Sequence, residues 1–120
     1  NLKNNYAKVR LWNYATESFD RTGLQFCGLM MGDHSKTAIN TMFNTGTVIG
    51  VNSNIYTPGF PRNFIPSFSW GGASGFKEYH PKKAFEAAKV MMDRRGKEFN
   101  KVEEDILQKV FELTQKWRKY

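Results

Sequence analysis

The stretch "MGDHSKTAINTMFNTGTVIGVNSNIYTPGF", residues 31–60, has few charges and fits neither helical nor simple strand alternation. Read in sixes it becomes regular: MGDHSK, TAINTM, FNTGTV, IGVNSN, IYTPGF. First positions are Met31, Thr37, Phe43, Ile49 and Ile55, four of the five clearly apolar. Fifth positions are Ser35, Thr41, Thr47 and Ser53, all small hydroxyl residues, with Gly59 closing the series. Fourth positions are His34, Asn40, Gly46, Asn52 and Pro58, and Gly, Asn and less often His are the types that tolerate left-handed backbone. Every sixth residue therefore fills a core and every sixth turns a corner. This is the hexapeptide repeat of a parallel β-helix. Three hexads make one coil, so residues eighteen apart stack roughly 4.8 Å apart. The register predicts Met31 on Ile49, Thr37 on Ile55, Gly28 on Gly46, and His34 on Asn52 at a shared corner. Phe43 and Ile49 are expected to point inward.

Around this block the chain, long enough for one domain, changes character. "KVRLWN", within residues 6–30, alternates like a strand and "DRTG" reads as a turn, so irregular first coils are expected there. After Ile55, "YTPGFPRN" is a loop, "FIPSFSW" a last strand and "GGASG" a flexible exit. The β-helix is thus assigned to residues 1–72 and a helical extension to 73–120. In the extension His80 precedes Pro81, which suits a first helical position. Phe85, Ala88 and Met92 share a face, and the first helix should end near Gly96. Asn100 with Glu103 has the form of an N-cap. Val102, Ile106, Val110, Leu113 and Trp117 then make one apolar stripe that needs covering.

The chain carries 18 Lys and Arg against 11 Asp and Glu, a net charge of +7. The excess is dispersed, with six against three in residues 1–72 and twelve against eight in residues 73–120. No dense basic run exists, so a solvated basic face is expected rather than nucleic-acid binding. Cys27 is the single cysteine, which excludes an internal disulfide, and it reads as a small core residue rather than a nucleophile. Two scattered histidines give no zinc spacing, so no metal is expected. With no apolar run of membrane length and no leader, a soluble cytoplasmic protein is expected, away from membranes. The chain begins at Asn1 without methionine and reads as a piece of something longer.

The run "GLMMGDHSKTAINTMFNTGTVIGVNSNIYTPGFPRNFIPSFSWGG", residues 28–72, resembles the C-terminal part of the bacterial sugar nucleotidyltransferase family. That family is related to the bifunctional N-acetylglucosamine-1-phosphate uridylyltransferase/glucosamine-1-phosphate acetyltransferase. The likeness is strong over residues 23–72, and the two-helix tail is similar too. It implies a left-handed β-helix, a homotrimer, acetyl-CoA as acyl donor, and a phosphosugar or nucleotide sugar as ligand. The nucleotidyl-transfer half is not in this chain: that chemistry needs a Gly-rich phosphate loop followed by basic residues, and "GGASG" follows a Trp with no such signature.

Acyl transfer needs a general base, donors for the oxyanion and cations for the coenzyme's phosphates. His34 is the only histidine in the repeat and is the candidate base, its corner expected to face outward toward a neighbouring subunit. Asn52 would orient it or bind substrate. Lys36, Arg62 and Lys77 are the candidate phosphate contacts. The resemblance does not carry His34 over as the base: aligning the family's Gly-Asp step on Gly32-Asp33 puts Cys27 where the acetyltransferase has its catalytic histidine. The expected function is a transferase domain resembling acyl-CoA-dependent sugar acyltransferases. The alternative is a non-catalytic trimerisation or regulatory module. The loop 56–63 is expected to reach toward a neighbouring copy.

Overall fold

The structure is a computed structural model describing residues 1–120. In chain order it comprises β1 (Arg10–Asn13), β2 (Ser18–Arg21), β3 (Leu29–Met31), β4 (Lys36–Thr37), β5 (Thr47–Ile49), β6 (Asn54–Ile55), β7 (Phe64–Ile65), β8 (Ser69–Gly72), β9 (Gly75–Glu78), α1 (Pro81–Arg94), α2 (Lys101–Leu113) and a 3₁₀ turn, Gln115–Trp117. Two parallel ladders organise the middle of the chain. One orders its strands β3-β5-β7, and the other β4-β6-β8-β9, with β9 antiparallel.

The first two levels of these ladders pair residues eighteen apart. Leu29 lies opposite Thr47, Met31 opposite Ile49, Lys36 opposite Asn54 and Thr37 opposite Ile55. The Gly46 amide donates to the Gly28 carbonyl at 2.7 Å. The third level is two residues shorter: Val48 lies opposite Phe64 and Asn54 opposite Trp70. Inside, Ile49, Ile55 and Ile65 are almost wholly buried, with Phe43 and Phe76 packed against them. Each such side chain stabilises the fold by roughly 1.5–3 kcal/mol.

The corners follow the residue types. His34 has φ +63°, Asn40 +60°, Gly46 +83° and Asn52 +54°. At the fifth hexad proline cannot adopt this backbone, and the turn is taken instead by Thr57 (φ +92°) and Gly59 (φ +96°). Two residues before His34, Gly32 lies against Gly50; a Cβ there would come within 2.7 Å of the Gly50 carbonyl carbon. The missing side chain lets the two levels approach beside the corner.

Three sequence expectations are corrected. Residues 10–21 are an antiparallel hairpin, not a coil, and its turn is Tyr14–Glu17 rather than "DRTG". Asn13 stabilises that turn by accepting from the Ala15 amide and donating to Asp20, which also accepts from Thr16 and Ser18. These bonds hold the Asp20 carboxyl below its ordinary range. "GGASG" is no loose exit: it forms the tight β8–β9 hairpin. Helix α2 buries only part of the stripe expected, Val110, and Trp117 beyond it is covered in an aromatic cluster. Val102, Ile106 and Leu113 are all more than half exposed, whereas Leu107, Val110 and Phe111 pack under Phe68 and Ala84.

Arg118 fastens the end of this layer. Its side chain donates to Glu78, to the Ser67 and Phe111 carbonyls and to the Thr114 hydroxyl, and lies 4.3 Å over the Phe111 ring. These contacts tie the end of α2 to Ser67 and Glu78. Trp117, beyond α2, joins Trp12, Tyr14 and Phe64 in an aromatic cluster that ties the hairpin to the C-terminus. The helix ends do match the sequence: His80 caps α1 by accepting from the Lys82 amide, and Asn100 caps α2 by accepting from the Glu103 amide.

Candidate functional site

One corner column carries the site. Asn52 follows His34 by one level, and its amide donates to the Asp33 carbonyl at 2.9 Å. Phe68, sixteen residues on, completes the column with φ +60°, and its amide donates to the Val51 carbonyl at 2.8 Å. A left-handed phenylalanine costs roughly 1–2 kcal/mol. Burial among Ala84, Leu107, Phe85 and Phe111 offsets that cost. Sequence reasoning missed Phe68 because nothing in a phenylalanine signals positive φ. The signal that reaches it is the Phe64–Phe68 spacing relative to Val48–Asn52, once the level is counted as sixteen.

The helical layer anchored on Phe68 reaches His34. Phe99, between α1 and α2, meets the His34 ring edge to face with centroids 6.4 Å apart. Phe99 of this chain thus covers one side of the His34 ring, which stays half-exposed. His34 is half-buried and Asn52 almost wholly buried. The His34 Nδ1 and the Asn52 Nδ2 are both buried without a hydrogen-bond partner. Unmet buried polar atoms are uncommon, and two of them one level apart mark this corner as unusual.

Electrostatics favour a neutral imidazole. Burial is the main cause lowering the His34 pKa, and the Lys36 ammonium adds to it, while Asp33 and Glu103 pull the other way. Lys36 is itself partly buried, which lowers its pKa, and its Nζ donates to the His34 carbonyl at 3.1 Å. No carboxylate pairs with it.

The remaining candidates do not join this cluster. Lys77 lies on the same sheet row as Lys36, in the order Lys36, Asn54, Trp70, Lys77. Three strand spacings separate the two lysines, roughly 14 Å. Arg62 is exposed in the loop after β6, where its charge acts on the Tyr120 hydroxyl at the far end of the ladders. Cys27 is half-buried and free.

A groove of about 1030 Å³ opens between α1 and Lys36, lined also by Lys83, Arg94, Arg95 and Lys97. Sequence reasoning took Lys36 but missed the α1 cations, which only helical spacing brings to one side. No three His, Cys, Asp or Glu side chains group to hold a metal ion, and no helix is long and apolar enough to cross a membrane. Comparison of the chain with family models, with curated proteins and with solved structures finds no match.

Proposed function

We propose that this chain is a transferase domain that moves an acyl group from a coenzyme A thioester to an amino or hydroxyl sugar, with His34 as general base. The observation that carries this reading is the His34–Asn52 corner: a neutral imidazole beside an uncompensated lysine, with a buried amide one level away. Because Nδ1 is buried, Nε2 is the nitrogen that meets substrate. It takes the proton from the acceptor amine or hydroxyl as that atom attacks the thioester carbonyl. The carbon–sulfur bond then breaks, and the proton passes to the leaving thiolate. Asn52, whose amide is buried one level away, orients the imidazole or binds substrate in this reading.

In the same reading the stacked levels are coils of a left-handed parallel β-helix. The domain is the C-terminal part of a sugar-nucleotidyltransferase-like protein of the cytoplasm, assembled as a homotrimer. Its ligands are acetyl-CoA and a phosphosugar or nucleotide sugar. A second reading, a non-catalytic trimerisation or regulatory module, is favoured by a separate observation: Leu29, Met30, Met31 and Ile39 of the first level are exposed. Surface of that kind suits assembly.

Release of coenzyme A is the deciding measurement, with a panel of amino and hydroxyl sugars and three proteins: wild type, His34→Ala and His34→Asn. Under the catalytic reading wild type turns over and His34→Ala loses roughly 10²–10⁴-fold while remaining folded. Equal turnover in all three removes His34 from the chemistry. No turnover by wild type on any acceptor, together with a trimer by light scattering, selects the assembly reading. A monomer at micromolar concentration removes the trimer from both.

A further inference from the structure

Helix α1 carries a second, charged face beside the one it buries. Ala84 and Ala88 are buried in the core, and Phe85 packs beside them. Lys83, Glu86, Ala87, Val90, Met91 and Arg94 recur at intervals of three and four, so they share a different side of the helix. All six line the groove that Lys36 closes from β4. Arg95 and Lys97 continue the cationic end past the helix terminus.

Stability does not account for these charges. Cations near a helix C-terminus are favourable, which covers Arg94 and Arg95. Lys83 stands in the first turn, where the helix dipole opposes a cation and where α1 has no acidic residue. Lys36 is partly desolvated with no carboxylate partner, and its hydrogen bond to the His34 carbonyl leaves its charge unneutralised. Of the groove's cations only Lys83 has a carboxylate nearby, Glu86 at 3.9 Å, and that pair is exposed. The walls between the charges are apolar: Ala87, Val90 and Met91, with Val90 61% and Met91 37% exposed. Methionine at such a surface adapts to flat or irregular ligands.

We infer that the groove between α1 and Lys36 binds a small molecule bearing two or more phosphate charges on a ring-containing body, the class of a nucleoside diphosphate. Lys36 and the Arg94–Arg95 pair take the phosphates, and Met91 and Val90 take the ring. The volume suits such a ligand, since small-molecule sites run to roughly 300–1,000 Å³. This inference rests on the ligand class proposed above, which it places in the groove, and does not require His34 to be catalytic.

Titration calorimetry on the 120-residue chain tests it, with ADP and inorganic pyrophosphate as probes and no acyl donor or acceptor present. Saturable ADP binding is expected. It should weaken roughly tenfold or more in Lys36→Gln and in the Arg94→Gln/Arg95→Gln double variant, each checked for an unchanged melting temperature. Met91→Ser should weaken ADP while leaving pyrophosphate unaffected. Absence of ADP binding at millimolar concentration overturns the inference, as does binding that every variant retains. Equal affinity for ADP and pyrophosphate overturns the ring contact. Because the readout is binding alone, a failed acyl-transfer assay and a failed groove remain separate results.

Discussion

Strands β3 and β5 pair residue for residue, yet Leu29, Met30 and Met31 are all exposed and Thr47, Val48 and Ile49 are all buried. Both levels turn a corner in left-handed backbone, at His34 and at Asn52. What differs is company. The second level has a neighbour on each side, and the first has one. The hexad pattern thus specifies the path of the chain at each level, whereas burial comes from stacking, and a level at the edge follows the same path without a complete core.

The sharpest way to break this comparison is a charge in the inward row. Ile49→Asp places an unpaired carboxylate among Ile55, Ile65 and Phe43, costing several kcal/mol, comparable with the stability of a domain. Loss of the cooperative thermal transition is expected, and a soluble variant with the wild-type melting temperature would show the row to be misread. A middle-sized contrast lies in the serine pair. Ser53 Oγ donates to the Pro66 carbonyl and accepts from the Ser69 amide, binding the second level to the third in full burial. Ser53→Ala should cost about 1–3 kcal/mol in denaturant unfolding. Ser35 Oγ donates to the Gly50 carbonyl and accepts from the Ser53 amide, at the half-buried first level. Ser35→Ala should cost less, and equal losses would mean that both levels are equally enclosed.

A smaller effect is expected from pH. The folded His34 pKa is lowered by burial, so the unfolded chain binds its proton more readily as the solution is acidified. Stability is then full above the ordinary histidine value and falls as pH drops from about 6.5 toward the folded pKa. Melting curves should be compared with those of His34→Asn, which keeps the left-handed backbone and removes the corner's share. An identical pH slope in both proteins would place His34 in solvent. Least of all should Met31→Asp matter: opposite Ile49 but 41% exposed, it is expected to shift stability by about 1 kcal/mol or less. A large loss there would show the first level to be enclosed in solution.

Corners were the most legible part of the sequence, because Gly and Asn at every sixth position report directly on backbone that other residues avoid. Helix starts were legible for a similar reason: His80-Pro81 and Asn100 with Glu103 satisfy amides that have no other partner. The buried face of α2 was not. Its sequence offers two apolar stripes, and the one that is buried packs on Phe68 and Ala84, which are distant from it in sequence. Tyr14–Glu17 misled for want of a glycine, since the turn is made by side-chain bonds around Asn13 and Asp20. Of the candidate site, the stacking of His34 on Asn52 came from spacing. Its roof, Phe99, and the α1 cations depend on where the helices land, which the hexads do not encode.

The two ends of the ladders differ in kind. At one, β3 and β4 leave an edge unpaired. At the other, β9 runs backward along β8, Arg118 occupies the Ser67 carbonyl, and Tyr120 joins Ser69 and lies beside Phe76. A reversed strand and an arginine on a carbonyl occupy backbone that a further parallel level would need, so the stacking of levels stops at β8 within this chain.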